Sequence, residues 1–582
     1  MAMSDHVTVD EPEGVVRRVN GPLVDIAELP PQVALFDQVR VGVAALPGEV
    51  VGLVEGSVRV QVYEHTGGLR PGEPARWLAA PLSVTLGPGL LGGVFDGLLR
   101  PLADGPRWLE PGALHEASPR RWRFTASVDH GDEVAPGARL GLVEENPAIE
   151  HPILVPADVR GTVTWVHRDG EVRGDEPVVR VGEVEVTLQQ RWPVRHPRPH
   201  AGRVEEAVPL VTGQRVLDLL APVAKGSTAA VIGGFGTGKT ILLQQIAKWC
   251  DADVIVYVGC GERGNELSDV IDDLAGLEDP RTGRRLAERT VIIANTSNMS
   301  VMAREASVYT GMTVAEYFRD LGLDAVVVAD STSRWAEALR EFSSRSGELP
   351  AEEGYPAGLA SALAAFYERA GRIRTLGGIE ASVTVVAAVS PSGGDMTEPV
   401  SAHTQRFVRC LWPLDRDLAY ARHYPAVTWR TSFSRDAVRW AVWHARGGDA
   451  RWAPRRARLE SLLAEADRLR SVAELVGEGA LPGRERMVLL AARLTREAVL
   501  QQNALSANDG FCAAAKQSAL AEAVVAVHDQ CEQLIVAGVP ASVIEQQDFS
   551  PLVRARDTLA ADDADGVGVI VDALAARLEQ LR

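Results

Sequence analysis

The chain has 582 residues, a formal net charge of −18 from 78 acidic against 60 basic side chains, and 46% hydrophobic residues. That length exceeds a single hydrophobic core and suggests roughly three or four domains. The acidic balance argues against a surface built for nucleic acid, no run of about 18 apolar residues offers a membrane span, and Met1 to Glu13 lacks a signal peptide's basic and apolar parts, so a cytoplasmic chain is expected.

In chain order, short β-rich runs at Val15–Val19, Leu23–Ile26, Val39–Val43, Glu49–Val54 and Ser57–Val62 are separated by the turns Asn20-Gly21-Pro22, Pro47-Gly48 and Glu55-Gly56. This spacing predicts a small closed β-barrel over 1–80, followed by a turn-rich connector over 81–110. A second β-rich stretch over 111–194 has strand candidates at Ile153–Val155, Gly161–Val166, Pro177–Val181 and Val184–Leu188 and reads as an appended all-β module. Arg191-Trp192-Pro193 through Pro197-Arg198-Pro199 reads as a stiff linker.

From 195 to 442 the apolar runs Ala229–Ile232, Val254–Val258, Val291–Ala294, Ala325–Ala329 and Val383–Val389 alternate with helical patterns. Runs with so few polar residues predict buried parallel strands covered by helices on both faces, a doubly wound α/β core. From 443 to 582 the periodicity is helical. Leu459, Leu462, Leu463, Ala466 and Leu469 share one face, Met487, Leu490, Ala491, Leu494 and Val499 another, and a third helix over Ser518–Val536 stops near Gly538 and Pro540. A terminal α-helical bundle is expected. The five cysteines, odd in number and without C-x-x-C spacing, read as reduced thiols, with Cys260 in a packing role.

The chemistry centres on Thr228–Thr240. Gly233, Gly238, Lys239 and Thr240 fit G-x-x-x-x-G-K-[ST] between a strand and a helix, Ile241 to Trp249. Backbone amides of Gly233, Gly234, Phe235, Gly236, Thr237 and Gly238 would wrap the phosphates of ATP or ADP, with the helix N-terminus behind them. Lys239 would reach the β- and γ-phosphates, and the Thr240 hydroxyl would complete the coordination of Mg²⁺.

Hydrolysis of a phosphoanhydride also needs a positioned water, a second metal-associated carboxylate and neutralised γ-phosphate charge. Asp330, ending the strand Ala325–Ala329, suits the metal, directly or through a water, although an Asp there also commonly caps the next helix. Glu262, following Val254–Val258 through Gly259-Cys260-Gly261, lies near the carboxyl edge of the sheet and could orient the attacking water, with Arg263 offsetting charge. From spacing alone this Glu-Arg pair fits a solvated face as well as a catalytic role.

The strings Gly233–Thr240, Gly259-Cys-Gly-Glu-Arg-Gly-Asn-Glu266, Ala329-Asp-Ser-Thr-Ser-Arg-Trp-Ala-Glu-Ala-Leu-Arg340, Ser390-Pro-Ser-Gly-Gly-Asp395 and Gln501-Gln-Asn-Ala504 together closely resemble the catalytic A subunit of V/A-type rotary ATPases. Asn20-Gly-Pro-Leu23 and the stretch from Pro81-Leu-Ser-Val84 to Phe95-Asp-Gly97 share the likeness, which extends from Gly14 to Arg582. The resemblance implies an N-terminal β-barrel, an inserted bulge domain at about 111–194 that F-type catalytic subunits lack, a RecA-like core and a C-terminal helical bundle. It also implies three such chains alternating with three B subunits, which supply an arginine finger, and ATP hydrolysis or synthesis at their interfaces. A central stalk, peripheral stalks and a membrane sector moving H⁺ or Na⁺ complete the assembly it implies, placing the chain peripherally on the cytoplasmic face of a membrane.

By motif position, the resemblance makes Glu262 the catalytic carboxylate and brings Lys239, Thr240 and Arg263 to phosphate or metal. It places Tyr424 and Leu505 at the adenine, with Ile241 and Ala504 among the nucleotide contacts. Three departures stand out. Leu505 occupies a position where Phe is more usual, so weaker stacking on the base is expected. Thr237 stands where eukaryotic relatives usually carry Cys, removing thiol-oxidation control, and Gly358 stands where Tyr is more common. A non-catalytic ring subunit is the same-fold alternative, disfavoured by the presence of Lys239 and Glu262. A RecA- or Rho-type nucleic-acid translocase is disfavoured by the acidic balance and the bulge-like insertion.

Overall fold

The computed structural model describes residues 13–54, 56–102, 120–146, 149–279 and 282–582. The expected start of the inserted module near Pro111 and the acidic residues up to position 12 lie outside these. The chain forms two units: Met1–Glu205 with Ala252–Val389 and Thr397–Phe407, and Glu206–Asp251 with Ser390–Met396 and Val408–Arg582.

The first unit opens with a closed six-stranded antiparallel barrel. Its spatial order is Glu13–Asn20, Leu23–Ala27, Ser57–Val62, Leu46–Val54, Asp37–Val41 and Pro74–Pro81, which closes back on the first strand. Alternation of branched aliphatics with polar residues fills the interior with Val16, Val24, Ile26, Val39, Val41, Val50, Val60 and Val62.

The inserted module is two four-stranded sheets. One orders Glu133–Val134, Gly161–Val166, Pro177–Val181 and Val184–Thr187; the other orders Ile149–Leu154, Arg139–Asn146, Arg121–Ala126 and Gly170–Arg173. Phe124, Leu140, Val163, Val172 and Val178 belong to its buried core. Part of the stretch expected to be linker is instead a strand, Gln190–Pro193, paired antiparallel with Ser83–Leu86. Its proline sits at the strand end, where a missing N–H costs no ladder bond.

In the same unit the strands Glu380–Val389, Ala325–Asp330, Val254–Glu262, Thr290–Thr296 and Val94–Phe95 run parallel in that order. Helix Val301–Asp320 packs on them and is buried at every residue from Met302 to Arg319. Its polar side chains are met by groups from elsewhere in the unit. Glu305 accepts from Arg195 (2.9 and 2.8 Å), Thr310 donates to the Gly97 carbonyl (2.8 Å), and Glu316 accepts from Arg369. Tyr317 meets His151 of the inserted module at 2.6 Å. The module also touches the core backbone: a Cβ on Gly137, whose φ is +79°, would lie 2.4 Å from the Gly377 nitrogen.

The second unit contains strand Thr228–Ile232, the glycine-rich loop and helix Lys239–Trp249, with Cys410–Pro413 parallel to the strand and Phe433–Ser434 antiparallel beyond it. Helices Trp452–Val476, Gly483–Leu494, Ala514–Val536 and Ala564–Glu579 form its helical domain, packing in succession. The third expected helix thus starts earlier, at Ala514. The fold therefore comprises an N-terminal β-barrel, an inserted β module, a RecA-like core with strands in both units, and a C-terminal helical domain.

Arg195 bridges two carboxylates, bonding Glu49 of the barrel at 2.8 Å and Glu305 at 2.8 Å, and both acids are almost fully buried. Burial raises the Glu49 carboxyl above its ordinary range, while Arg195 opposes that shift. Truncation of the cation would strand two buried charges, so Arg195→Ala is expected to cost about 3–5 kcal/mol, seen as a lower urea midpoint. The triple replacement Arg195→Met, Glu49→Leu and Glu305→Leu should recover most of that loss.

Candidate nucleotide site

In the second unit, the loop after Ile232 turns because Gly236 (φ +79°) and Gly238 (φ +91°) adopt a left-handed backbone that other residues resist. At Gly233 space is the constraint, since a Cβ would sit 2.7 Å from the Thr237 hydroxyl oxygen and 2.8 Å from Leu414 Cβ. Thr237, buried, donates its hydroxyl to the Gly234 carbonyl at 2.8 Å. Lys239 Nζ donates to the Gly233 and Gly234 carbonyls, both at 2.8 Å, which holds the ammonium against the loop. Gly238 caps the helix without a side-chain bond, and the first turn carries no acidic residue. A helix N-terminus with no acidic side chain in its first turn favours an anion there.

Apolar side chains remain uncovered on this unit: Phe235 is 89% exposed, Ile241 55%, Tyr424 42% and Leu505 96%. Tyr424 is beside the phosphate loop, its Cε1 3.6 Å from where a Cβ on Gly238 would lie. The Gln502 amide donates to the Tyr424 carbonyl at 2.7 Å, which joins that residue to the Gln501–Leu505 segment. Ala504 is half-buried, as is Thr240.

In the first unit, strand Val254–Glu262 turns at its penultimate residue, Gly261 (φ +74°), where a Cβ would meet Arg334 Cβ at 2.8 Å and Arg304 Cδ at 3.0 Å. Glu262 follows, half-buried. Its carboxyl is pushed up to about 7, first by burial and then by the negative charge of Asp330, with Arg334 opposing and Glu266 adding to the rise. Asp330 is buried at the end of its strand and accepts a hydrogen bond from the Tyr257 hydroxyl at 3.1 Å. Ser331, at the N-cap of the next helix, makes no side-chain capping bond. Arg263 occupies the N-cap of helix Gly264–Gly276 and is exposed.

The first unit thus brings Glu262 and Asp330 together, and the second brings the phosphate loop and Tyr424 together. Two neighbours of Glu262 lie inside the motif strings without carrying a role there. Arg334 lies four residues beyond Asp330, in the first turn of the helix leaving that strand, and forms an ion pair with Glu337 at 2.9 Å. Glu266 lies in the first turn of the helix that follows Glu262. Tyr257 carries no local motif and emerges only from the pairing of its strand with Ala325–Asp330. At Gly358 a Cβ would meet open space, and nothing in the structure explains the glycine.

A carboxyl raised from 4.5 to about 7 on folding contributes stability that is fully present below about 4.5 and lost as the pH rises through 7. In metal-free buffer, Glu262→Gln should therefore match wild type near pH 4.5 and unfold at a higher temperature than wild type above pH 7. Differential scanning calorimetry across this range checks the sign.

Four family descriptions match successive parts of the chain: the ATP synthase alpha/beta family β-barrel domain over residues 16–77, its barrel-sandwich domain over 115–195, its nucleotide-binding domain over 213–434, and the C-terminal domain of V and A type ATP synthase over 442–543. The chain is 50% identical over 558 residues to the V-type ATP synthase alpha chain of Nitrosococcus oceani, with 93% of each covered. It is 47% identical over 553 residues to the A subunit of the A-type ATP synthase of Methanopyrus kandleri, covering 92% of this chain and 93% of that one. With the V-type ATP synthase alpha chain 2 of Clostridium tetani it shares 43% over 587 residues and 99% of each chain. The solved structure of the type III secretion ATPase EscN from enteropathogenic E. coli shares the fold, with a TM-score of 0.62, 20% identity, and coverage of 88% of this chain and 100% of that one. Among the described residues, no helix is long and apolar enough to cross a membrane. A nucleotide-binding core between a β-barrel and a V/A-type C-terminal domain, with close relatives matching nearly end to end, places this chain in the ATP synthase alpha/beta family as a V/A-type alpha (A) subunit.

Proposed function

We propose that the chain is the catalytic subunit of a V/A-type rotary ATPase, hydrolysing or synthesising ATP at interfaces with a B subunit. The observation carrying this reading is the coexistence of an intact phosphate loop, with Lys239 held against it, and a half-buried Glu262 poised near neutrality beside Asp330. A carboxyl of raised proton affinity at a strand end suits proton transfer, and together with the phosphate-loop lysine it favours a catalytic subunit over a non-catalytic one.

In hydrolysis, water attacks the γ-phosphorus, the bond to the β,γ-bridging oxygen breaks, and ADP and phosphate leave. Glu262, with a proton affinity matched to neutral pH, orients that water and draws off its proton. The amides of Gly234–Gly238 and the Lys239 ammonium hold the β- and γ-phosphates, and Arg263 neutralises charge developing on the transferring group. Thr240 and Asp330 offer the hard oxygen donors that Mg²⁺ takes, Asp330 directly or through a water. When bound, the ion supplies charge neutralisation on the phosphates. Ile241, Tyr424, Ala504 and Leu505 cover the nucleoside.

The assembly in this reading is three such chains alternating with three B chains, each B supplying an arginine finger. Central and peripheral stalks connect the ring to a membrane sector that moves H⁺ or Na⁺, and the chain sits at the cytoplasmic face of the membrane. The 43–50% identity to V- and A-type relatives over nearly the whole chain supports this setting.

The test is Mg-ATP hydrolysis by the chain mixed with its B partner. The rate should require both chains and fall about a hundredfold or more in Glu262→Gln. A rate independent of the B chain and unchanged in Glu262→Gln would overturn the reading. Leu505→Phe should restore an aromatic face to the base and tighten ATP by about 1 kcal/mol, roughly fivefold, measured as a lower KM with kcat unchanged.

A further inference from the structure

Arg215 is completely buried in the second unit and forms an ion pair with the equally buried Asp509 at 2.7 Å. Two buried charges are a poor source of stability, because desolvation offsets most of their attraction. Their bonds converge on one short segment. Arg215 Nε donates to the Val499 carbonyl at 2.6 Å and its Nη2 to the Gln501 carbonyl at 2.7 Å, at the end of a π-helical turn, Thr495–Leu500. The Arg215 amide donates to Gln502 Oε1 at 2.9 Å, and Gln502 Nε2 donates to the Gly213 carbonyl at 2.8 Å. Asp509 Oδ2 accepts from the Asn503 amide at 2.7 Å, and Asn503 Oδ1 accepts from the Leu505 amide at 3.0 Å.

The segment pinned in this way presents Leu505, an apolar side chain almost wholly in solvent. The stretch is also tied to the phosphate loop and to the end of the helix that follows it. The Gln502 amide holds the Tyr424 carbonyl, and the Tyr424 ring lies against Gly238. Phe511 stacks on Trp249 at the far end of the phosphate-loop helix, with ring centroids 5.3 Å apart. An exposed apolar residue on a backbone fixed by buried charges is a preorganised ligand wall, since its ordering cost is met before binding.

We propose that the Arg215–Asp509 pair is the positioning device for base recognition: it sets the distance between the Tyr424–Leu505 wall and the phosphate loop. The chain's preference for a nucleotide over a bare polyphosphate then depends on Arg215, a residue that touches neither. This inference rests on the assignment of Tyr424 and Leu505 to the nucleoside made above.

The test compares wild type, Arg215→Lys and Asn503→Ala. Asn503 is exposed, and its replacement keeps the backbone amide that bonds Asp509 while removing only the Oδ1 that holds the Leu505 amide, so it cuts the link between the buried pair and Leu505. Affinities of the full chain for Mg-ATP and for inorganic tripolyphosphate are measured by calorimetry, and KM and kcat in the complex with the B chain. Both variants should weaken ATP about tenfold, raise KM in parallel, and leave tripolyphosphate binding and kcat within about twofold. Equal losses for ATP and tripolyphosphate, or unchanged ATP affinity in a folded Asn503→Ala, would overturn the proposal. If wild type itself binds tripolyphosphate as tightly as ATP, the nucleoside assignment falls and this inference falls with it. A wild-type preference for ATP that both variants retain removes the inference alone.

Discussion

A helix buried over almost its whole length needs partners for the polar groups it carries, and Val301–Asp320 finds most of them by recruiting the rest of its unit. Glu305 is reached by Arg195, which also holds Glu49 of the barrel. Thr310 takes the carbonyl of Gly97, Glu316 takes Arg369, and Tyr317 takes His151 of the inserted module. Near the other end, Arg304 packs under the Gly261 turn, and its carbonyl lies 3.6 Å from the Cys260 sulfur. The element that receives the barrel and the inserted module thus also supports the turn from which Glu262 projects.

The two units divide the chemistry by sign. One presents amides, an ammonium and a helix N-terminus with no acid in its first turn. The other presents a buried carboxylate, Asp330, beside a half-buried one, Glu262, with Arg334 as a moderating cation. The environment separates the roles of the two acids. Asp330 holds a phenolic hydrogen bond deep in the strand edge, whereas Glu262, less buried and facing a like charge, is left near its protonation midpoint at neutral pH.

The phosphate loop was legible because its chemistry fixes residue type and spacing together, and Gly236 and Gly238 take the left-handed conformations that the pattern demands. Glu262 was ambiguous from spacing and gained meaning only from the longer string around it. What escaped the sequence depends on distant partners. The Arg215 contacts reach residues more than two hundred and eighty positions away, and no local pattern marks a pair whose members meet only after the helical domain has packed. Within the inserted module, the strand Arg121–Ala126 is hidden in the sequence although Trp122 and Phe124 alternate with outward residues, because its arginines mask a short strand. The Arg-Trp-Pro stretch read as linker pairs with a neighbour that only tertiary structure supplies.

All five cysteines are buried and unbridged. Burial pushes the thiols of Cys260 and Cys531 up to about 12 and raises those of Cys410 and Cys512. The thiolate, the species that attacks maleimides and disulfides, is therefore scarce at these four positions in the folded chain. A fluorophore or bead tether attached through one engineered surface cysteine would report from that place alone, and the native thiols would need no removal before the chain is watched at work one molecule at a time.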